Sequence, residues 1–148
     1  MIVLGSDHAG FPLKEIIIRY LNDKSIGFID VGVSQGEKED YPIIANKVAE
    51  MIKTNKADKG ILFCGSGIGM AIAANKVVGI RCAVCSEPYS AKMSRLHNDA
   101  NVLALGYRVV GEELAVMIVD IWINSKFEGG RHIKRLNQIS DIEKHNIL

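Results

Sequence analysis

Short apolar runs alternate along this chain with longer segments in which apolar residues recur every three or four positions. Ile2 to Gly5, Phe28-Ile29-Asp30-Val31, Ile61 to Phe63, Cys82 to Cys85 and Val102 to Leu105 read as five strands. Pro12 suits the first turn of a helix running to about Lys24, with Leu13, Ile16, Ile17 and Tyr20 on its buried stripe. Ser34 to Asp40 is a polar loop. Asp40-Tyr41-Pro42 then caps a helix to about Thr54, with Ile43, Ile44, Val48 and Ile52 inward. A small-residue helix, Met70 to Lys76, follows the third strand, and Glu87-Pro88 opens another that runs to about Asn98. Gly111 to Asn124 is helical, Gly129-Gly130 breaks it, and Arg131 to His145 forms the last helix.

Apolar strands alternating with helices predict an α/β fold: a five-stranded parallel sheet covered on both faces. Right-handed crossovers make it a three-layer, doubly wound (Rossmann-like or flavodoxin-like) sandwich, with strand order 2-1-3-4-5 as the expectation. Ligands of such sheets bind at the carboxyl edge where the strand order reverses, here between strands one and three. That brings Asp7 and His8 beside Cys64. The helix around Glu113 to Ile123 is apolar almost all round, so the expectation is burial on more than one side, with a subunit interface as part of its cover.

The 148 residues suit one domain, residues 1–148, with helices over about 111–146 contributing to a dimer interface. A net charge of +1 without a long basic or acidic run argues against nucleic acid as a partner. The longest weakly polar stretch, Ile61 to Ala74, falls short of the roughly 20 apolar residues a membrane span needs. The N-terminus enters a strand directly, without a basic leader, and three cysteines give no disulfide framework, so a cytoplasmic setting is expected. Cys82 and Cys85 form a C-x-x-C on a strand, where residues three apart face opposite ways. No second Cys or His pair lies nearby at zinc spacing, and both read as core cysteines.

Candidate chemistry centres on Cys64-Gly65-Ser66-Gly67-Ile68-Gly69, which joins a buried strand to a helix. Helix N-termini present unpaired N–H groups and partial positive charge, so they favour anions, a thiolate included. A P-loop would need G-x-x-x-x-G-K-[ST], which is absent. The third glycine of a dinucleotide fingerprint would fall on Met70, and so would the arginine of a low-molecular-weight phosphatase. A tight turn holding a buried cysteine remains the plain alternative. Gly129-Gly130-Arg131-His132-Ile133-Lys134-Arg135 places Arg131 and Arg135 on one helix face, as a phosphate site or as a solvated basic face. His97 reads equally as a functional group or as a helix C-cap, and Tyr41 as a ligand contact or a packing residue.

Taken together, Gly5-Ser6-Asp7-His8-Ala9-Gly10, Asp40-Tyr41-Pro42, the Cys64 loop, Ala73-Ala74-Asn75-Lys76, Cys85-Ser86-Glu87-Pro88-Tyr89, Arg95-Leu96-His97-Asn98-Asp99-Ala100-Asn101 and Glu128-Gly129-Gly130-Arg131-His132 resemble ribose-5-phosphate isomerase type B. That group extends to galactose-6-phosphate and allose-6-phosphate isomerases. The match runs from Ile2 to about Ile142 with its motifs in register.

The resemblance implies a metal-free aldose–ketose isomerisation of ribose 5-phosphate and ribulose 5-phosphate through an enediolate, in the pentose phosphate pathway, without a cofactor. It implies that Cys64 moves the proton between C2 and C1, that Ser66 orients the thiol and that His97 opens the sugar ring. Gly65, Gly67, Ile68 and Gly69 would line the substrate, the N–H groups of Gly67 to Gly69 holding the enediolate. Asp7, Tyr41 and Asn98 would hold sugar hydroxyls, and His8, Arg108, Arg131 and Arg135 the phosphate. Some members carry a glutamate base where Met70 stands here; Met70 cannot take a proton, which leaves Cys64. A hexose 6-phosphate isomerase is the alternative activity, and a phosphate- or nucleotide-sensing module the non-enzymatic one. Because His97 ends the helix after strand four, it is expected at the sheet edge opposite Cys64. The expectation is a homodimer, or a tetramer, with composite sites that take His97 from the partner.

Overall fold

The computed structural model describes residues 1–145. The elements are β1 (Ile2–Ser6), α1 (Phe11–Asp23), β2 (Phe28–Asp30), α2 (Tyr41–Lys53), β3 (Lys59–Cys64), α3 (Ile68–Ala74), β4 (Cys82–Val84), α4 (Pro88–Leu96), β5 (Val102–Gly106), α5 (Glu112–Asn124) and α6 (Arg131–His145). The five strands are all parallel, and the expected elements are all present.

The strand order is β2-β1-β3-β5-β4, which corrects the expected 2-1-3-4-5. The reason lies in the two strands exchanged. β5 is apolar and buried at every position, whereas β4 has three residues and is half-exposed. The strand that can lose both faces to helices takes the interior place, and the short one takes the edge. Reversing the last crossover moves α4 to the opposite face of the sheet. α4 accordingly packs on α5, beside α1, while α2 and α3 pair on the other face.

Each face has its own core. Strand alternation sends Ile61 and Phe63 toward α1, α4 and α5, where they meet Leu13, Ile17, Leu103, Leu105 and Trp122. Leu62 and Cys64 point the other way, into a cluster with Ile44, Val48, Met70 and Ala104. Cys82 and Cys85 divide between the two clusters as the strand period requires, although Cys82, on the edge strand, is only partly buried. Burial pushes the Cys82 thiol up to about 12 and the Cys85 thiol up to about 11.

Two local expectations are revised. Ile43 is 47% exposed; the buried stripe of α2 is Ile44, Ala45, Val48 and Ala49, one helical face on which Ile43 does not lie. Asp40 sits at the N-cap of α2, but its carboxylate makes no capping bond. α1 and α4 pack on α5, whose Met117 stays exposed, and α6 exposes Ile133, Ile139 and Ile142. α6 lies over a groove of about 730 Å³ beside β4, held by Gly79, whose N–H donates to Glu143 Oε1 at 2.9 Å. The last residue of the expected helical range, 146, lies outside the described residues.

Candidate active site

The carboxyl edge of the sheet gathers three loops. The first follows β1: Asp7 is buried, its N–H donates to the Phe63 carbonyl at 3.3 Å, and its Oδ1 accepts from the Gly10 N–H at 2.9 Å. Gly10 starts α1 so close to β3 that a Cβ there would sit 2.1 Å from the Phe63 oxygen. No side chain fits that approach, and it is what brings the Asp7 loop beside Cys64. His8, next along, is exposed.

The second loop carries the thiol. Cys64 ends β3, is 5% exposed, and its Sγ accepts a hydrogen bond from the Gly67 N–H at 3.1 Å. Gly67 takes φ +81°, a left-handed conformation that glycine adopts without strain, and this turns its N–H back toward the sulfur. Ser66 is exposed, and its Oγ accepts from the Ile68 N–H at 3.3 Å. Two of the three N–H groups expected to hold an oxyanion therefore already serve the thiol and Ser66. The hydrogen bond on the thiol comes from Gly67, while the Ser66 hydroxyl oxygen accepts from Ile68. The Tyr41 ring lies against this loop, its Cε2 2.8 Å from where a Cβ of Gly69 would be.

The third loop follows β5. Because β5 is the neighbour of β3, the Tyr107 N–H donates to the Cys64 carbonyl at 2.9 Å and the Arg108 N–H to the Gly65 carbonyl at 3.0 Å. The Arg108 guanidinium reaches the space in front of Gly65, where a Cβ would meet Nη1 at 2.9 Å. Asp7, His8, Tyr41, Cys64, Gly65, Ser66, Gly67, Ile68, Gly69 and Arg108 thus form one group.

His97, Asn98, Arg131 and Arg135 form another, at the opposite edge. The turn after α4 is anchored there: the Gly60 N–H, near the start of β3, donates to the Asn101 carbonyl at 2.8 Å. Gly60 and Cys64 stand four steps apart on β3, about 13 Å by ordinary strand rise. One chain does not join His97 to Cys64, as the sequence reading expected. The α5–α6 connection meets the same turn, the Glu128 N–H donating to the Leu96 carbonyl at 3.0 Å, and so brings Arg131 near His97.

The framework of this second cluster was missed in the sequence. Asp99 adopts φ +43°, which Asp tolerates better than most residues. Arg95 Nη1 donates to Asp99 Oδ1 at 2.8 Å, while Arg81 donates to the Asp99 carbonyl at 2.9 Å and, through Nε, to the Asn98 carbonyl at 2.9 Å. Two arginines thereby hold the turn that presents His97 and Asn98. His97 in turn stacks on His132, beside Glu128. Both Glu128 and His132 stand in the motif read for its arginines, and only their approach in space reveals the contact.

The fold and this site define a doubly wound α/β protein with a thiol at the ligand-binding switch point of its sheet. The sequence model of the ribose/galactose isomerase family matches residues 2–139, and the chain belongs to that family. It is 52% identical to ribose-5-phosphate isomerase B of Escherichia coli strain K12 over 143 residues, 97% of this chain and 96% of the relative. It is 44% identical to the D-erythrulose-4-phosphate isomerase of Pectobacterium atrosepticum, over 96% of this chain and 94% of that protein. The solved structure of ribose-5-phosphate isomerase B from Clostridium thermocellum superposes with a TM-score of 0.96 at 52% identity, covering 98% of both chains.

Proposed function

We propose that this enzyme interconverts ribose 5-phosphate and ribulose 5-phosphate. The observation that carries the reading is the Cys64 thiol, set at the β1/β3 switch point with the Gly67 N–H on its sulfur and the Asp7 and Arg108 loops beside it. As thiolate, Cys64 takes the proton from C2 of the open aldose. The C1 oxygen gains the charge of the enediolate as the C1–C2 double bond forms. Return of the proton to C1, with the C2 hydroxyl proton passing to the C1 oxygen, leaves the ketone at C2 and a hydroxyl at C1. The Gly69 N–H at the start of α3, the one of the three that serves neither Cys64 nor Ser66, stabilises the charge where it develops, a kind of contact worth several kcal/mol in other enzymes. Asp7 and Tyr41, with Asn98 of a second copy, hold hydroxyls, and His8 and Arg108, with Arg131 and Arg135 of that second copy, hold the phosphate far from the reacting carbons, fixing their geometry.

Ring opening falls to His97 of a second copy, because the two clusters lie at opposite sheet edges. The exposed Ile133, Ile139 and Ile142 of α6 supply an apolar surface for that association. We therefore propose a homodimer with two composite sites. No helix among the described residues is long and apolar enough to cross a membrane. Three free cysteines suit a reducing, cytoplasmic setting.

A coupled isomerase assay with ribose 5-phosphate, allose 6-phosphate and galactose 6-phosphate tests the substrate. The pentose is expected to give the highest kcat/KM. A higher value with either hexose would transfer the same chemistry to a six-carbon substrate, and no turnover of any of them would favour a binding module.

A further inference from the structure

His132 stands at the head of α6, buried, with no part in the mechanism above. Its imidazole stacks on that of His97, ring centroids 4.3 Å apart and planes 15° from parallel. Its Nε2 is closed to solvent and has no hydrogen-bond partner. Glu128 Oε2 lies 3.6 Å from that nitrogen and 3.9 Å from His97 Nε2, so one carboxylate serves two rings. The side chain of His97 is 35% exposed and that of His132 only 7%, so a sugar reaches the first and not the second.

Two imidazoles and a carboxylate within 4.8 Å of one another suggest a cation site. The stacking argues against it. A metal bound to imidazole lies about 2.0–2.1 Å from nitrogen, in the plane of the ring. Two planes this close to parallel meet far from either nitrogen, so an ion between the rings would sit out of both. The same geometry suits another task. A flat neutral ring against His97 removes its freedom to turn and leaves only its open edge for a ligand.

We propose that His132 is a positioning residue for His97: stacked on it, with the Glu128 carboxylate between the two Nε2 atoms, it holds the imidazole in the orientation that opens a cyclic sugar phosphate. The proposal rests on the ring-opening role given to His97. Electrostatics support it. Burial first, then the neighbouring His97 and Arg131 charges, lower the His132 pKa against the opposing pull of Glu128, and this lowering favours the neutral ring. The charged groups around the pair are Glu128, Arg131 and Arg135, with Arg95 and Asp99 paired to each other on the α4 side. When His97 is protonated, a neutral ring face and a carboxylate lie beside it, where a second imidazolium would repel it.

The two directions of the reaction provide the test. Ribose 5-phosphate is mostly a closed furanose, whereas ribulose 5-phosphate is open, because the oxygen that would close its five-membered ring carries the phosphate. Misplacing a catalytic group costs rate steeply, so His132→Ala should lose about 10-fold or more of kcat with ribose 5-phosphate and less than about twofold of kcat with ribulose 5-phosphate, whose open aldose product can leave before its ring closes, the KM values shifting so that the ratio of the two kcat/KM values stays at the equilibrium constant. His132→Phe, which keeps a flat ring, should recover most of that loss. Melting temperatures of both variants identify a failure to fold, in which case His132→Phe and Glu128→Gln carry the comparison, with Glu128→Gln showing the same one-directional loss. Equal losses of kcat in the two directions, or full ribose 5-phosphate activity in His132→Ala, overturn the proposal. Cys64→Ser, expected to lose both directions equally, tests the proton shuttle separately: if it stays active, the shuttle reading falls and the His132 comparison is unaffected.

Discussion

The main-chain N–H of Arg108 donates to the carbonyl of Gly65 at 3.0 Å. This bond exists because β5, not β4, lies beside β3, and it puts a guanidinium in front of the thiol loop. A charge-assisted hydrogen bond is worth about 1.5–3 kcal/mol. Arg108→Gln should therefore raise KM for ribose 5-phosphate by about 10-fold or more, with a smaller change in kcat, in a steady-state assay. A lowered kcat at constant KM would assign Arg108 to the reacting carbons instead of the phosphate.

Cys64 should be the one cysteine on which activity depends. General-base loss costs roughly 10²-fold or more, so Cys64→Ala should fall by at least that much. Iodoacetamide at pH 8 should inactivate the enzyme with a label on Cys64, and ribose 5-phosphate should protect it. Cys82 and Cys85, pushed up to about 12 and about 11 by burial, stay protonated and unlabelled. Peptide mapping decides; a label on Cys85 that tracks inactivation would contradict the assignment.

The proposed composite sites make a quantitative prediction for mixed subunits. Cys64→Ala and His97→Ala should each be nearly inactive alone. Random re-pairing gives mixed dimers half the time, each with one intact site, so about a quarter of wild-type activity should return. Refolding an equimolar mixture and measuring the rate tests this, and no recovery would mean that each chain works alone.

Gly10 is a packing constraint with a functional consequence. A Cβ at this position would stand 2.1 Å from the Phe63 carbonyl oxygen and 2.6 Å from the Cys64 nitrogen. Backbone cannot yield as a flexible side chain does. Gly10→Ala should cost about 1–3 kcal/mol by overpacking and should lower activity by displacing Asp7 from Cys64. Thermal denaturation and kcat, read on one preparation, should fall together.

Alkaline stability should depend on Tyr20. Burial first, and its hydrogen bond to Asp120 second, push its hydroxyl up to about 12. In the unfolded chain it ionises near 10, so from about pH 10 upward the unfolded state gains by losing a proton that the folded state keeps. Stability should fall between about pH 10 and 12, and Tyr20→Phe should flatten that slope in urea titrations across the range.

Much of this architecture was legible in the chain because it is written locally. Apolar runs of strand length, helical stripes and glycine breaks define the elements within one or two residues, and alternation along β3 already separates Phe63 from Cys64. The thiol at a strand end before a glycine loop, and the resemblance carried by His97 and Arg131, identified the chemistry from neighbouring residues alone. Burial of whole side chains is less local. Lys14 reads as a surface lysine in α1, yet it is 1% exposed, its ammonium donating to Asp30 Oδ2 and the Val33 carbonyl at 2.7 Å each.

What tertiary structure alone decided is which distant residues meet. The sequence determined that five parallel strands would form, and that Cys64 and His97 would lie at opposite edges, because strand and helix directions follow from connectivity. It did not determine which of two late strands borders β3, since that depends on how each strand's faces are covered by helices far along the chain. That choice placed Arg108 at the thiol loop. Likewise, stacking of His97 on His132 and the clasp of Arg81 and Arg95 on Asp99 join residues from separate segments, and no local pattern encodes such distances.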